Sequence, residues 1–201
     1  MDASTLRDLA AGNTWLQLWP EISLGCLALF LLILEVVLPK AAHGRIPLVS
    51  IAGQALILAV LVVHRHIPYH EAFNGLLALS SRGQAMRIFF VAASILASIL
   101  ARVSLAKTRA PAVEFHHIVL IATASMMLLV QSRNFLMVFV ALETLTVGLY
   151  ILVSYFRSNA KTLEAGLKYL VMGALSSSLL LFGIALLYGV AGNPILTQHT
   201  A

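Results

Sequence analysis

The sequence predicts an all-α, polytopic integral membrane protein, and three observations carry that reading. Charged residues make up 10% of the 201 residues, where a soluble domain carries about 25%. Hydrophobic residues make up 60%, and the mean hydropathy is +0.94. The apolar residues are gathered into six long runs, close to the roughly 17–25 residues that a helix needs to cross a bilayer. With 13 Lys and Arg and 8 Asp and Glu there is too little polar surface for a soluble enzyme of this length, which excludes dinucleotide-binding and kinase folds. The apolar content excludes disorder as well.

The runs follow one another with readable stops, giving a single membrane domain over residues 1–201. The first spans Ile22 to Leu38 and stops at Pro39-Lys40. The second, Pro47 to Val63, opens on a proline, which a first helical turn accepts because its missing N–H has no partner there. The third runs from Met86 to Ala101. The fourth, Phe115 to Val130, stops at Gln131-Ser132-Arg133-Asn134, and the fifth, Phe135 to Tyr155, follows at once, so the two must form an antiparallel hairpin. The sixth reaches from Thr162 to Val190, where Gly192-Asn193-Pro194 breaks it. The segment from His64 to Arg82 is too polar for a seventh span and is expected at an interface. Residues 1–20 lack the basic start of a cleaved signal peptide, so the first span is expected to be retained.

A net charge of +5 would point to nucleic acid in a soluble protein. Here the basic residues lie between apolar runs, so no nucleic-acid partner is expected, and the lipid bilayer is. Arg7, Arg65, Arg82, Arg87 and Arg133 fall on the side of the N-terminus, and Lys40, Arg45, Arg102, Lys107, Arg109, Arg157 and Lys161 on the other. That slight excess predicts a multi-pass protein with its N-terminus outside and the loops after spans one, three and five in the cytoplasm. Cys26, alone in an apolar run, can form neither a disulfide nor a metal cluster and is expected as a small core residue.

Glu143 is the informative residue. It lies near the middle of the fifth run with no charged neighbour, where a charge costs roughly 2.5–3.5 kcal/mol on insertion scales and needs a partner, water or a proton. The bland alternative is a neutral glutamate that packs helices. Thr146, Tyr150 and Ser154 share its face at helical spacing, forming a polar stripe that could hold waters or merely bond to neighbouring helices. Lys168, about two turns into the sixth run, is either a buried proton-transfer group or the partner of Glu164 in an i,i+4 ion pair. Gly166, Gly173 and Ser177 share a face suited to close packing.

Glu35, near the end of the first run, and His116 and His117, which open the fourth, are weaker candidates for proton transfer. His64, His66, His70 and Glu71 look like a ligand cluster but sit in a polar loop, and no metal site is expected. The sequence has no GxGxxG, no GxxxxGK[ST] and no cysteine cluster, so this chain is not expected to carry electrons or bind a cofactor.

The residues around these candidates carry a resemblance. Glu114, Ser125-Met126-Met127, Ala141-Leu142-Glu143-Thr144-Leu145-Thr146-Val147-Gly148-Leu149-Tyr150-Ile151-Leu152, then Leu163-Glu164-Ala165-Gly166-Leu167-Lys168-Tyr169-Leu170, Gly173-Ala174 and Ser176-Ser177 closely resemble subunit N of bacterial proton-pumping NADH–quinone oxidoreductase, complex I. The likeness covers residues 114 to 190. It implies an antiporter-like proton channel in a bacterial inner membrane, with Glu143 matching the family's key glutamate and Lys168 a lysine of its buried charge chain. It also implies that FMN, iron–sulfur clusters and quinone belong to partner subunits, and that the other membrane-arm subunits are this chain's neighbours. Two departures stand out: an acidic residue often found near Ser80 is missing, and family members are more than twice as long, so the chain is expected to be an N-terminal half. Two other functions are open: a structural or assembly subunit without its own proton path, or a subunit of a cation/proton antiporter.

Overall fold

The computed structural model describes residues 15–39, 44–66, 68–73, 75–108 and 112–191. A short 3-10 turn, Trp15–Leu18, leads into α1 (Trp19–Val37), which is followed by α2 (Ile46–Val63), a hairpin of β1 (His70–Ala72) and β2 (Leu77–Leu79), α3 (Ser81–Thr108), α4 (Ala112–Gln131), α5 (Phe135–Val153) and α6 (Ala160–Ala191). Six helices among the described residues are long and apolar enough to cross a membrane.

Local chemistry sets the helix ends. Pro20 and Pro47 sit in the first turns of α1 and α2. Leu38 is extended (φ −81°, ψ 141°), as the residue before Pro39 must be to avoid the proline ring. Asn134 caps α5 by accepting the Leu136 N–H at 2.8 Å. The α4–α5 turn is fixed from outside, because Arg133 N–H donates to the Leu76 carbonyl at 2.9 Å and Ser132 bridges Leu77. The β1–β2 turn bends through Phe73 and Gly75 at positive φ, 55° and 81°.

The helix α4 is central, packed against α1, α3 and α5; α2 closes the group against α3 and α1, and α6 packs mainly on α5. Leu24, Leu31, Leu61, Val91, Leu120 and Met127 form the apolar core. The outer faces are apolar too, with Phe30, Ile33, Leu100 and Leu179 exposed, as expected of helices that present those faces to lipid. Only 6% of the apolar window of α6 is buried, against 44% for α4.

Two expectations change, and a third segment gains a defined fold. The third span is longer at both ends than Met86–Ala101, reaching Ser81 and Thr108. Its early turns tolerate Arg87 because that side chain is not a flanking charge: it is 1% exposed and bonded inside the bundle. Cys26 is exposed on the outer face of α1 rather than part of the core, because two residues from both Leu24 and Ala28 it lies on the opposite side of the helix from those buried positions. The polar segment before α3 folds into the β-hairpin, with Tyr69, Glu71 and Arg133 joined at its rim. Lys40, Arg7 and Arg109 lie outside the described residues, as do the side chains of Lys107 and His70.

Candidate functional site

Glu143 stands at mid-length of α5, half-buried, and receives a hydrogen bond from Ser177 Oγ of α6. The small face anticipated on α6 makes this approach possible. A Cβ on Gly166 would lie 2.6 Å from Ser154 Cβ, and one on Gly173 would collide with the Tyr150 ring and hydroxyl. The other side of Glu143 borders a cavity of about 520 Å³ between α4 and α5, lined also by His117, Ile121, Thr144 and Val147. It is an open groove, its outer wall formed by the exposed Val147 and Ile151 and its polar groups supplied by His117, Glu143 and Thr144.

The rest of the stripe is engaged in packing. Thr146 Oγ1 donates to the Glu143 carbonyl at 3.0 Å, and Ser154 Oγ to the Tyr150 carbonyl at 3.0 Å. Such bonds to the preceding turn satisfy the hydroxyl hydrogen within its own helix. Tyr150 is buried and meets Tyr169 edge-on, ring centroids 5.0 Å apart. Lys168 Nζ lies 2.5 Å from Glu164 Oε1, and both side chains are more than half exposed.

Glu35 and Glu114, at the end of the bundle opposite the hairpin, line a second, open pocket of about 220 Å³ with His117 and Arg157. Arg157 reaches Glu114 at 3.5 Å across the exposed surface. Tyr155, beside them, has its phenol pushed up to about 12 by burial and then by the Glu114 carboxylate, so it is neutral and brings no charge to this end near pH 7. His116 is fully buried, with Nδ1 2.6 Å from the Ala112 carbonyl and Nε2 3.3 Å from that of Ser98. His117 points the other way, with Nδ1 2.9 Å from the Ala28 carbonyl of α1.

Two buried polar groupings escape a reading of the sequence. At the hairpin end, Arg87 of α3 donates to both carboxylate oxygens of Glu21 on α1, at 2.9 and 3.0 Å, and to Gln131 of α4 at 2.5 Å. Gln131 returns a bond to Glu21 at 2.6 Å, and Gln84 accepts from Arg87 at 3.2 Å. At mid-depth, Gln54 of α2 donates to Ser50 and to Ser98 of α3, both at 3.1 Å, and accepts from Ser94 at 2.9 Å. Glu21 sits so near the start of the first apolar run that it reads as a flank, and uncharged Gln and Ser leave no signal in a hydropathy profile.

Residues 132–199 match a family model described as NADH:quinone oxidoreductase/Mrp antiporter, TM. The chain is 61% identical to NADH-quinone oxidoreductase subunit N 1 of Opitutus terrae over its whole length, covering 40% of that relative. It is 34% identical to subunit N of Rhodospirillum rubrum over 87% of the chain and 36% of the relative. It is also 35% identical to the chloroplastic NAD(P)H-quinone oxidoreductase subunit 2 of Mesostigma viride, over 94% of the chain and 38% of the relative. The chain thus spans about two fifths of the length of these relatives. A chain in a structure of respiratory complex I from Thermus thermophilus with bound aureothin superposes with a TM-score of 0.73 at 30% identity, covering 90% of this chain and 39% of that one. One in an archaeal membrane-bound sulfane sulfur reductase shares the fold, with a TM-score of 0.65 at 20% identity over 89% of this chain and 38% of that one. Over its whole length this chain is similar in sequence to subunit N of NADH–quinone oxidoreductase, and over most of it similar in fold to a chain of respiratory complex I.

Proposed function

We propose that the chain works as part of a proton-translocating membrane-arm subunit of NADH–quinone oxidoreductase, in which NADH oxidation and quinone reduction in other subunits drive proton transfer across the membrane. Glu143 is the group that gains and loses the proton, and Lys168 is a charge that tunes it. FMN, iron–sulfur clusters and quinone belong to partner subunits. The observation that carries this reading is the placement of Glu143: a carboxyl at mid-length of a membrane-spanning helix, met by a neutral hydroxyl and bordering a groove between α4 and α5. Among the described residues its bonded partner is the Ser177 hydroxyl, and a carboxyl at this depth needs a partner, water or a proton. Moving one charge against the membrane potential costs about 2.3 kcal/mol per 100 mV, so the driving step must come from the redox chemistry elsewhere.

The protein sits as a multi-pass subunit in the bacterial inner membrane with its N-terminus outside. Removing the buried Arg87 from the outer count leaves the basic excess more clearly on the opposite, cytoplasmic side.

The test is NADH-driven proton uptake by membrane vesicles carrying the full-length chain in its complex. Glu143→Gln keeps the shape and the bond to Ser177 but removes the titratable proton, so uptake should collapse while the amount of assembled complex stays near wild type. Full uptake in that variant would overturn the assignment.

A further inference from the structure

The geometry points to His117 as the proton relay between the cytoplasmic-end carboxylates Glu35 and Glu114 and the mid-membrane carboxyl of Glu143. This inference rests on Glu143 being the proton-carrying group, as proposed above. Its first support is the ring's orientation. Nδ1 lies 2.9 Å from the Ala28 carbonyl oxygen, which can only accept, so Nδ1 carries the hydrogen and Nε2 of the neutral ring is left as a basic lone pair. The contact also holds the ring in place, because Ala28 belongs to a different helix from His117.

The second support is position. His117 borders both cavities: the 220 Å³ one with Glu35, Glu114 and Arg157, and the 520 Å³ one with Glu143. Ile118 and Ile151 border both as well, and neither can take a proton. Glu114 and His117 are three residues apart on α4, about 4.5 Å along the axis and on one face. On the far side, Gly148 of α5 packs on Ile118 and Ala122 of α4, which sets the antiparallel register. Counting from that contact, His117 and Glu143 are separated by about 10 Å along the axis, a gap that roughly three waters in file would close. The walls between them, Ile121 and Val147, are apolar, so water is held there only weakly unless one end carries a charge.

The step is a proton exchange without other bond changes. A proton released by a protonated Glu35 or Glu114 carboxyl passes through water to Nε2, leaving the carboxylate and giving an imidazolium that keeps its Nδ1–H bond to Ala28. The same N–H then gives its proton, passed on through water, to the Glu143 carboxylate, which becomes the carboxylic acid, and the ring returns to its starting tautomer. The hydroxyls of Thr146 and Ser154, which donate to their own helix, are not needed for this route.

The experiment compares three variants of the full-length chain in its assembled complex, measuring NADH-driven proton uptake by vesicles beside NADH oxidation with a water-soluble electron acceptor. His117→Asn keeps an N–H that can reach Ala28 but has no basic nitrogen, and should lower uptake five-fold or more with acceptor activity unchanged. His117→Ala should lose uptake similarly and recover part of it when imidazole is added, a rescue that a purely structural role would not produce. Wild-type uptake in His117→Asn, or no rescue of His117→Ala by imidazole, overturns the relay. Glu143→Gln run in parallel separates the two levels: if it blocks uptake while His117→Asn does not, only the relay falls, and if both variants pump fully, both assignments fall.

Discussion

Ser177 Oγ on α6 donates to Glu143 Oε1 on α5, so the mid-membrane carboxyl is held at a seam between two helices by a neutral donor. That bond orients the carboxyl without fixing its charge. Ser177→Ala should therefore leave assembly within about 1.5 kcal/mol of wild type, the typical net value of one hydrogen bond, while lowering proton uptake less than Glu143→Gln does. The comparison is uptake per assembled complex in the two variants. A Ser177→Ala loss as deep as that of Glu143→Gln would mean that the hydroxyl is itself a transfer group.

Lys168 and Glu164 test a different distinction. The pair is 2.5 Å apart and largely exposed, at 72% and 63% of the side-chain surfaces, and an exposed i,i+4 pair contributes only a few tenths of a kcal/mol. If Lys168 acts on Glu143 electrostatically, Lys168→Ala lowers quinone reductase activity more than Glu164→Ala and shifts its pH optimum. Equal and small losses would reduce Lys168 to half of a surface ion pair.

The Glu21–Arg87 pair is predicted to matter for stability. Both side chains are at most 5% exposed, and removing one partner of a buried pair leaves an uncompensated charge, at about 3–5 kcal/mol. Arg87→Ala and Glu21→Ala should each lower the thermal midpoint of the detergent-solubilised protein sharply. The double variant Glu21→Leu with Arg87→Met should recover part of the loss, because no stranded charge remains. A midpoint unchanged in the single variants would show that water reaches this end of the bundle.

Two glycines give a paired prediction about packing. A methyl group at Gly173 meets the Tyr150 side chain, whereas one at Gly25 meets nothing within 4 Å. Gly173→Ala should weaken the α5–α6 seam and reduce assembled complex, and Gly25→Ala should be neutral or stabilising by up to about 1 kcal/mol from helix propensity. Assembly would be measured from the complex recovered per cell. Equal recovery for both would mean that α5 and α6 are not seated on each other through Gly173.

The six helices were legible because a spanning helix must be apolar over its whole length, and prolines and polar turns mark its ends. Glu143 was legible for the complementary reason, that a charge with no sequence neighbour stands out against 60% apolar residues. What joins the helices was not legible. Gln131 finds Glu21 at a sequence separation of 110, and Gln54 finds Ser98 at 44, distances over which no periodicity carries information. Arg87 misled the charge count because its sequence position gives no hint that Glu21 waits on another helix to neutralise it. The role of Ser177 was hidden in the same way: its helix face could be read as small, but not which carboxyl it would meet.

The most direct test of a titrating Glu143 is infrared difference spectroscopy on the assembled complex in lipid, recorded before and after NADH is added. A change in the C=O stretch of a protonated carboxyl should accompany turnover in the wild type and be missing from the same difference spectrum of Glu143→Gln. Identical carboxyl-region difference spectra for the two would contradict a change of protonation at Glu143.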